Sequence, residues 1–147
     1  HNEAIGPARE RFKSLGYGDH VLGMVLDWVQ DLAPMVIHVK LDDVGRFMET
    51  DEYYRSQFET KTSNGANDPQ NLTRQGWERS LFGGAYEDAK PFERCKYGAL
   101  NVMNDYRGVL SAKQYGDSYL VLKDVRMRTT LTYTDSSCVD IESLGVS

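Results

Sequence analysis

The sequence predicts an α+β domain in which N-terminal helices pack on a mixed or antiparallel sheet. Apolar residues recur at helical spacing in the first third, β-branched and Thr-rich runs gather in the second half, and no internal repeat interrupts this order. A chain of 147 residues fits a single domain. Because it starts with His1 and stops at Ser147, we expect it to be a segment of a longer protein.

Three helices are predicted in the first two thirds of the chain. They cover residues 19–33, 44–54 and 73–82. In the first, apolar residues recur every three or four positions, Asp19 is the expected N-cap and Pro34 ends the helix. The second precedes an Asn- and Gly-rich loop that reaches Asn71. The third ends at Gly83-Gly84, because glycine tolerates the positive φ of a helix C-terminus.

Strands dominate the prediction for the second half. One strand, at residues 35–41, is predicted before the second helix. The other three cover residues 96–103, 118–123 and 128–133. The strand at 96–103 is expected in the centre of the sheet, because it is apolar along most of its length. Asn104-Asp105 or Arg107-Gly108 would then turn the chain into a hairpin.

Composition argues against several classes of partner. The formal net charge is -5 with both signs interspersed, so nucleic acid is not favoured, although residues 123–128 form a local basic cluster. No apolar run approaches the roughly 20 residues that span a bilayer, so no membrane association is expected. Cys95 and Cys138 match no zinc spacing, which predicts no metal and two thiols in a reducing, cytoplasmic compartment.

Three clusters of polar, aromatic and small residues are candidates for one ligand-binding cleft. They run from Arg55 to Gly65, from Gly83 to Tyr86 and from Tyr97 to Asn101. Glycines beside aromatic residues let a backbone approach a planar ring, which suits a nucleotide or nicotinamide. The alternatives are a solvated edge for the first cluster and a simple helix end for the second. Phosphate-loop and Gly-x-Gly-x-x-Gly patterns are absent from the sequence.

Individual side chains suggest chemistry less specifically. His38 lies in a predicted strand, where a neutral ring could orient a ribose hydroxyl, although the sequence alone favours a satisfied core or edge histidine. Glu59 and Asp135 could form a carboxylate pair, but nothing in the sequence fixes their separation. Cys95 is a weak nucleophile candidate that is more typical of a packed residue. The sequence has no Gly-x-Ser-x-Gly elbow for serine hydrolysis.

Six ordered motifs resemble an uncharacterised, mainly bacterial family, domain of unknown function DUF3626. The motifs are Ile37-His38-Val39, Tyr54 to Thr60 with Ser63-Asn64-Gly65, Trp77-Glu78 with Leu81 to Tyr86, Tyr97 to Asn101, Ser118 to Leu122, and Arg128 to Tyr133. The family pattern has Gly at Lys61, Pro at Cys95 and Gly at Thr134. It also carries a second histidine and a proline where this chain has Lys40 and Leu41, which counts against a metal or two-histidine role.

The DUF3626 family in turn resembles the ADP-ribosyltransferases, enzymes that use NAD as a substrate. This resemblance implies that His38 or Arg55 holds the ribose or a phosphate and that Tyr97 stacks on nicotinamide. Glu59 or Asp135 would stabilise the ribose cation, unless the catalytic carboxylate lies beyond Ser147. The predicted NAD contacts are His38, Arg55, Gln57, Ser63, Asn64, Gly65, Tyr86 and Asn101.

The expected reaction is ADP-ribosyl transfer to an acceptor such as a protein, or hydrolysis of NAD by water. Two other functions stay open on sequence grounds. The same cleft could bind a nucleotide-like ligand without turning it over. The chain could also be an interaction domain in which Arg55, Glu59 and Arg94 form buried ion pairs that support the fold.

Overall fold

A small antiparallel sheet organises the chain. The computed structural model describes residues 2–60, 72–132, 134, 135 and 138. The sheet has the order β2-β1-β3, with β1 spanning Met35–Val39, β2 spanning Ala99–Leu100 and β3 spanning Ser118–Leu122. Both neighbours run antiparallel to β1, and Met35 lies opposite Leu100 on one side and Leu122 on the other. Helices combined with this sheet confirm the α+β class.

Strand β1 lies in the centre of the sheet, between β2 and β3, and all five of its residues are buried. A strand that is covered on both faces carries a nearly continuous apolar run, as Met-Val-Ile-His-Val does here. Ile37 and Val39 form a buried cluster with Val44, and Tyr54, Leu120 and Leu122 pack against it. His38 is the single polar residue of this strand.

The N-terminal part is helical. Helix α1 spans Asn2–Ser14 and α2 spans Asp19–Asp27, followed by a π-helical turn over Trp28–Leu32. The expected N-cap is wrong by one position, because Gly18 takes the cap conformation and Asp19 is the first helical residue. The carbonyls at the end of the π-turn are satisfied by Arg126, whose guanidinium donates to the carbonyl oxygens of Val29, Gln30 and Ala33.

Three further helices follow β1. They are α3 over Leu41–Thr50, α4 over Gln57–Thr60 and α5 over Leu72–Phe82. The predicted helix at 44–54 therefore starts three residues earlier and ends four residues earlier, whereas the one at 73–82 agrees to within one residue. Gly83 and Gly84 have φ values of +60° and +85°, as predicted for the end of α5. Among the described helices, none is long and apolar enough to cross a membrane.

The predicted strand at 96–103 is wrong in length and position. Only Ala99–Leu100 pair, and they form an edge of the sheet. The chain turns immediately afterwards because the Asn101 side chain accepts the Asp105 N–H at 3.1 Å and donates to the Asp105 carbonyl at 2.9 Å. No hairpin joins β2 to β3 either, since β1 lies between them.

The predicted strand at 128–133 is also wrong within the described residues. A 3₁₀ turn covers Arg126–Arg128, and residues 129–132 have no regular structure. The Thr129 hydroxyl donates to the Val125 carbonyl at 2.7 Å, so threonine supports a turn here rather than a strand. Two other 3₁₀ segments, Pro91–Glu93 and Leu110–Tyr115, fill regions between the strands. Among the described residues that follow α5, turns and 3₁₀ segments outnumber strand residues, so the prediction of a mostly β second half is wrong.

Candidate functional site

A buried cluster of charged side chains lies between α5 and the segment before β2. We call it the Glu78 cluster; its members are Arg74, Glu78, Arg94, Cys95 and Tyr97. Glu78 is only 1% exposed, and its Oε2 atom forms an ion pair with Nη1 of Arg94. Its Oε1 atom accepts from the Tyr97 hydroxyl at 3.2 Å and lies 3.6 Å from Sγ of Cys95. Both carboxylate oxygens are therefore engaged within the protein.

Arg74 brings a second guanidinium into this cluster. It is 5% exposed, and its Cζ atom lies 4.3 Å from the ring centre of Tyr97 and 5.7 Å from that of Trp77. Its Nε and Nη1 atoms have no hydrogen-bond partner in the described part of the chain. Cation–π contacts of this kind contribute about 0.5–2 kcal/mol. Burying a charge without an ionic partner costs roughly several kcal/mol of folding free energy. The contacts with the Tyr97 and Trp77 rings alone therefore do not offset the burial of the Arg74 guanidinium.

Burial keeps the thiol and the phenol of this cluster protonated. The pKa of Cys95 is raised to about 11: desolvation is the largest cause, the hydrogen bond with Tyr97 lowers the pKa, and the neighbouring Glu78 carboxylate raises it. Desolvation also raises the pKa of Tyr97, with the Cys95 thiol as the next contribution. A thiol that stays protonated at neutral pH is a poor nucleophile. Among the described residues, no three His, Cys, Asp or Glu side chains are grouped as metal ligands.

A small cavity opens beside the cluster. It has a volume of about 60 Å³ and is lined by Gln75, Glu78, Arg79, Gly84, Tyr86, Glu87 and Arg94. Tyr86 packs edge-to-face against Phe82 at 5.2 Å between ring centres. The left-handed φ of Gly84 shapes the turn that forms one wall. The cavity thus places an aromatic residue from the second predicted cluster beside the Glu78–Arg94 ion pair.

Parts of all three predicted clusters meet at Arg94. Its Cζ atom lies 4.9 Å from the ring centre of Phe58, which belongs to the first cluster. The hydroxyl of Ser56 donates to the carbonyl of Pro91 at 2.7 Å and so attaches α4 to the segment that carries Arg94. The same arginine lines the cavity with Tyr86 and shares the Glu78 carboxylate with Tyr97.

Arg55 lies in a different depression, the Arg55 groove. Its volume is about 160 Å³, and it is lined by Val44, Phe47, Met48, Asp51, Tyr53, Tyr54, Arg55, Thr60 and Leu120. The Arg55 guanidinium lies 4.2 Å from the ring centre of Phe47 and pairs with Asp51, where Nη2 is 3.1 Å from Oδ1. That hydrogen bond lowers the pKa of Asp51. The groove and the cavity beside Glu78 have no lining residue in common.

The other candidates of the first cluster have local roles. The Glu59 carboxylate accepts the backbone N–H of Ser56 at 2.6 Å, as the acidic member of a capping box does at the start of a helix. Gln57 has a buried Oε1 atom without a hydrogen-bond partner among the described residues. Ser63, Asn64 and Gly65 lie outside the described residues. Asp135 is exposed, and its backbone carbonyl accepts the N–H of Cys138 at 2.8 Å.

His38 is held in one neutral tautomer by the backbone. Its Nδ1 atom lies 2.8 Å from the carbonyl oxygen of Gly116, which can only accept, so Nδ1 carries the proton. Its Nε2 atom accepts the N–H of Val109 at 2.9 Å. Both ring nitrogens therefore have partners within the protein, as do the side-chain oxygen and nitrogen of Asn101 in its turn.

The sequence analysis did not single out Arg74 or Glu78 as site residues. A signal for them is present in the helix itself. Trp77, Glu78 and Leu81 lie three, four and seven residues after Arg74, so the four residues share one face of α5. Two opposite charges on the face that carries the large apolar residues indicate a buried polar cluster.

The comparisons with known proteins give a family and no characterised relative. No curated protein and no solved structure matches the chain. A family model described as "Protein of unknown function (DUF3626)" matches residues 36–143. That range includes the sheet except for Met35, together with α5 and every residue of the Glu78 cluster. The chain therefore belongs to the DUF3626 family.

Proposed function

We propose that the protein binds NAD at the Glu78 cluster and the cavity beside it, and transfers ADP-ribose from NAD to an acceptor or to water. The observation that supports this best is the meeting of the three segments at Arg94. It gathers guanidinium groups, aromatic rings and one buried carboxylate, which are the groups that a dinucleotide requires. The resemblance of the family motifs to ADP-ribosyltransferases is consistent with this choice.

The aromatic residues would hold the nicotinamide end of the ligand. Tyr86 lies at the wall of the cavity, and Tyr97 is hydrogen-bonded to Glu78 at the same wall. A ring held between such groups keeps the bond to ribose beside the carboxylate, and positioning of this kind supplies much of an enzyme's acceleration. Arg55 and Gln57 would contact a more distant part of NAD from the Arg55 groove and α4.

In the reaction the bond between the nicotinamide nitrogen and the ribose carbon breaks. Its electron pair leaves with nicotinamide and neutralises the pyridinium charge. The oxygen of water or of an acceptor hydroxyl then bonds to the ribose carbon and loses its proton to solvent. Glu78 would stabilise the transient positive charge on ribose, because a buried carboxylate acts strongly in a site from which water is excluded.

The remaining predicted residues belong to the same proposal. Glu59 and Asp135 stay alternative carboxylates, and His38, Asn101 and the segment Ser63 to Gly65 stay predicted NAD contacts. The acceptor is proposed to be a protein. We also place the protein in the reducing cytoplasm, as its two cysteines led us to expect.

Release of nicotinamide from NAD tests the reaction directly. Tyr86→Leu removes the cavity-wall phenol, and Tyr106→Leu removes a phenol that is 85% exposed and serves as the matched control. We expect release by the parent chain and by the Tyr106 variant, and its loss in a Tyr86 variant with an unchanged unfolding midpoint. The proposal is refuted if the parent chain releases no nicotinamide and NAD does not raise its unfolding temperature.

A non-catalytic nucleotide-binding module is the second candidate. It is favoured by one observation, namely that both oxygens of Glu78 are already occupied by Arg94, Tyr97 and Cys95. Such a module would show a higher unfolding temperature with NAD or ADP-ribose and no release of nicotinamide. Parallel measurement of both quantities on one sample therefore separates the two functions.

A further inference from the structure

We infer that Arg74 is the receptor for a phosphate or diphosphate group of a small-molecule nucleotide. The inference deepens the proposed function and rests on it for the identity of the site, because it names the part of the ligand that the Glu78 cluster recognises. It does not depend on whether the ligand is cleaved.

The first argument is the unsatisfied hydrogen-bonding capacity of Arg74. The residue is 5% exposed, and its Nε and Nη1 atoms are buried without a hydrogen-bond partner among the described residues. A guanidinium stays charged at all ordinary pH values and can only donate. Buried donors of this kind are nearly always paired in folded proteins, so these two require an acceptor from outside the described residues.

The second argument is charge balance. The described members of the cluster hold two buried guanidinium groups, on Arg74 and Arg94, and one buried carboxylate. That carboxylate is already bound to Arg94, and its other oxygen accepts from Tyr97. Stacking on Tyr97 and Trp77 fixes the plane of the Arg74 guanidinium but does not neutralise it. A bound anion would restore neutrality.

The third argument is the position of Arg74 in the fold. It is the third residue of α5, an 11-residue helix, so the positive end of the helix dipole adds to its charge. The adjoining cavity, of about 60 Å³, is lined by Glu78 and Arg94 of the cluster but not by Arg74.

Phosphate suits these features better than a carboxylate. Both groups can accept two hydrogen bonds from one guanidinium, but a phosphate has further accepting oxygens and carries more than one negative charge. A diphosphate extends over a longer distance and can engage Arg94 as well. A small-molecule source is indicated because Arg74 is only 5% exposed, and so is out of reach of a polynucleotide backbone bound at the surface.

The test compares Arg74→Met with Arg107→Met in the full chain. Methionine keeps much of the apolar length of arginine and removes the charge. Arg107 is a suitable control because its side chain is 49% exposed and pairs with Asp105 far from α5 in the sequence. Binding of ADP, inorganic pyrophosphate and inorganic phosphate is measured by calorimetry, together with the unfolding temperature of each free protein.

For ADP and for pyrophosphate alike, we expect the Arg107 variant to bind with the same affinity as the parent chain. Loss of charged hydrogen bonds should weaken ADP binding by about 10- to 100-fold in the Arg74 variant. The ligand-free Arg74 variant should unfold at a temperature equal to or above that of the parent, because it no longer buries an unpaired charge. Arg74→Lys keeps the charge without the planar fork, and should give an intermediate affinity.

Two results would overturn the inference. One is the absence of binding of all three probes to the parent chain. The other is unchanged ADP affinity in both the Met and the Lys variants of Arg74. Binding of ADP without release of nicotinamide from NAD would refute the enzymatic proposal and leave this inference standing. Release of nicotinamide by Arg74→Met with the same KM for NAD as the parent chain would refute this inference and leave the enzymatic proposal standing.

Discussion

Substitution of Glu78 by glutamine should destabilise the protein severely, although it changes only one atom of the side chain. The amide oxygen can still accept from Tyr97, so the packing and that hydrogen bond are retained. What is lost is the negative charge that faces Arg94, in a pair whose side chains are 1% and 9% exposed. Removing one partner of a buried ion pair costs about 3–5 kcal/mol, since the other charge stays buried.

Glu87→Gln is the matched control for this effect. Glu87 pairs with Arg79 at 2.6 Å, but the two side chains are 52% and 69% exposed. Exposed pairs of this kind contribute about 0–1 kcal/mol, because water and salt screen them. The two variants therefore make the same chemical change in ion pairs that both begin on α5 and differ in burial.

Urea unfolding in phosphate-free buffer, followed by tryptophan fluorescence, measures both changes. Trp77 lies on the same face of α5 as Glu78 and reports on the cluster directly. For a chain of this size the expected loss corresponds to a drop in unfolding temperature of roughly 6–20 °C for Glu78→Gln, and at most about 4 °C for Glu87→Gln. Equal unfolding free energies for the two variants, within about 0.5 kcal/mol, would show that the reasoning from burial is wrong.

Three further predictions concern other parts of the molecule. Because burial raises the pKa of Cys95 to about 11, only about 0.1% of its thiol is ionised at pH 8. In a mass-spectrometric time course, iodoacetamide should therefore label the exposed Cys138 at least tenfold faster than Cys95. Equal labelling rates for the two cysteines would contradict this. Gly116→Ala places a methyl group 2.0 Å from the backbone of β1, at a residue with φ +152°, and should prevent folding as judged by circular dichroism. Gly45→Ala, inside α3, places its methyl group where no atom lies within 4 Å, and should stabilise the folded protein by about 0.5–1 kcal/mol. Hydrogen bonds from Arg107 lower the pKa of Asp105 to about 2. The Asp105 carboxylate therefore stabilises the fold above about pH 4, and this contribution is lost as the pH falls toward 2. The urea midpoint of Asp105→Asn should fall less across that pH range than the midpoint of the parent chain.

Local signals in the sequence predicted one helix closely and two of the three strands. The helix that ends at Phe82 was found because its apolar spacing and the Gly83-Gly84 stop act within a few residues. Strands β1 and β3 were found because their apolar runs are short and bounded by turn residues. The predicted ends of α3 were less accurate, since no capping residue marks either end.

The wrong strands share a physical cause. The segments around Ala99 and Thr129 have strand-like composition, but a strand forms only where a partner strand is available. The Ala99 segment does pair with β1, as strand β2, but the hydrogen bonds of the Asn101 side chain turn the chain after two residues. The Thr129 segment finds both edges of β1 occupied, and the Thr129 hydroxyl donates to the Val125 carbonyl instead. Such competition depends on positions that are distant in sequence, so periodicity alone does not reveal it.

The candidate site was predictable in its segments and not in its central residues. Tyr86 and Tyr97 were chosen because aromatic residues beside glycines are a local pattern, and both contact or border the Glu78 cluster. The partner of Arg94 could not be chosen from the sequence, because Glu78 lies sixteen residues away on a helix. The opposed charges on the apolar face of α5 were the available signal.

The central position of β1 governs how the chain can fold. Its last residue, Val39, pairs with Ser118, and its first, Met35, pairs with Leu100. Both partners emerge from the ribosome long after β1 itself, so this apolar strand has no sheet neighbour during most of synthesis. Closing contacts over such separations is entropically costly and slows folding. The newly made chain thus exposes an aggregation-prone segment, Met35–Val39, until β2 and β3 are complete.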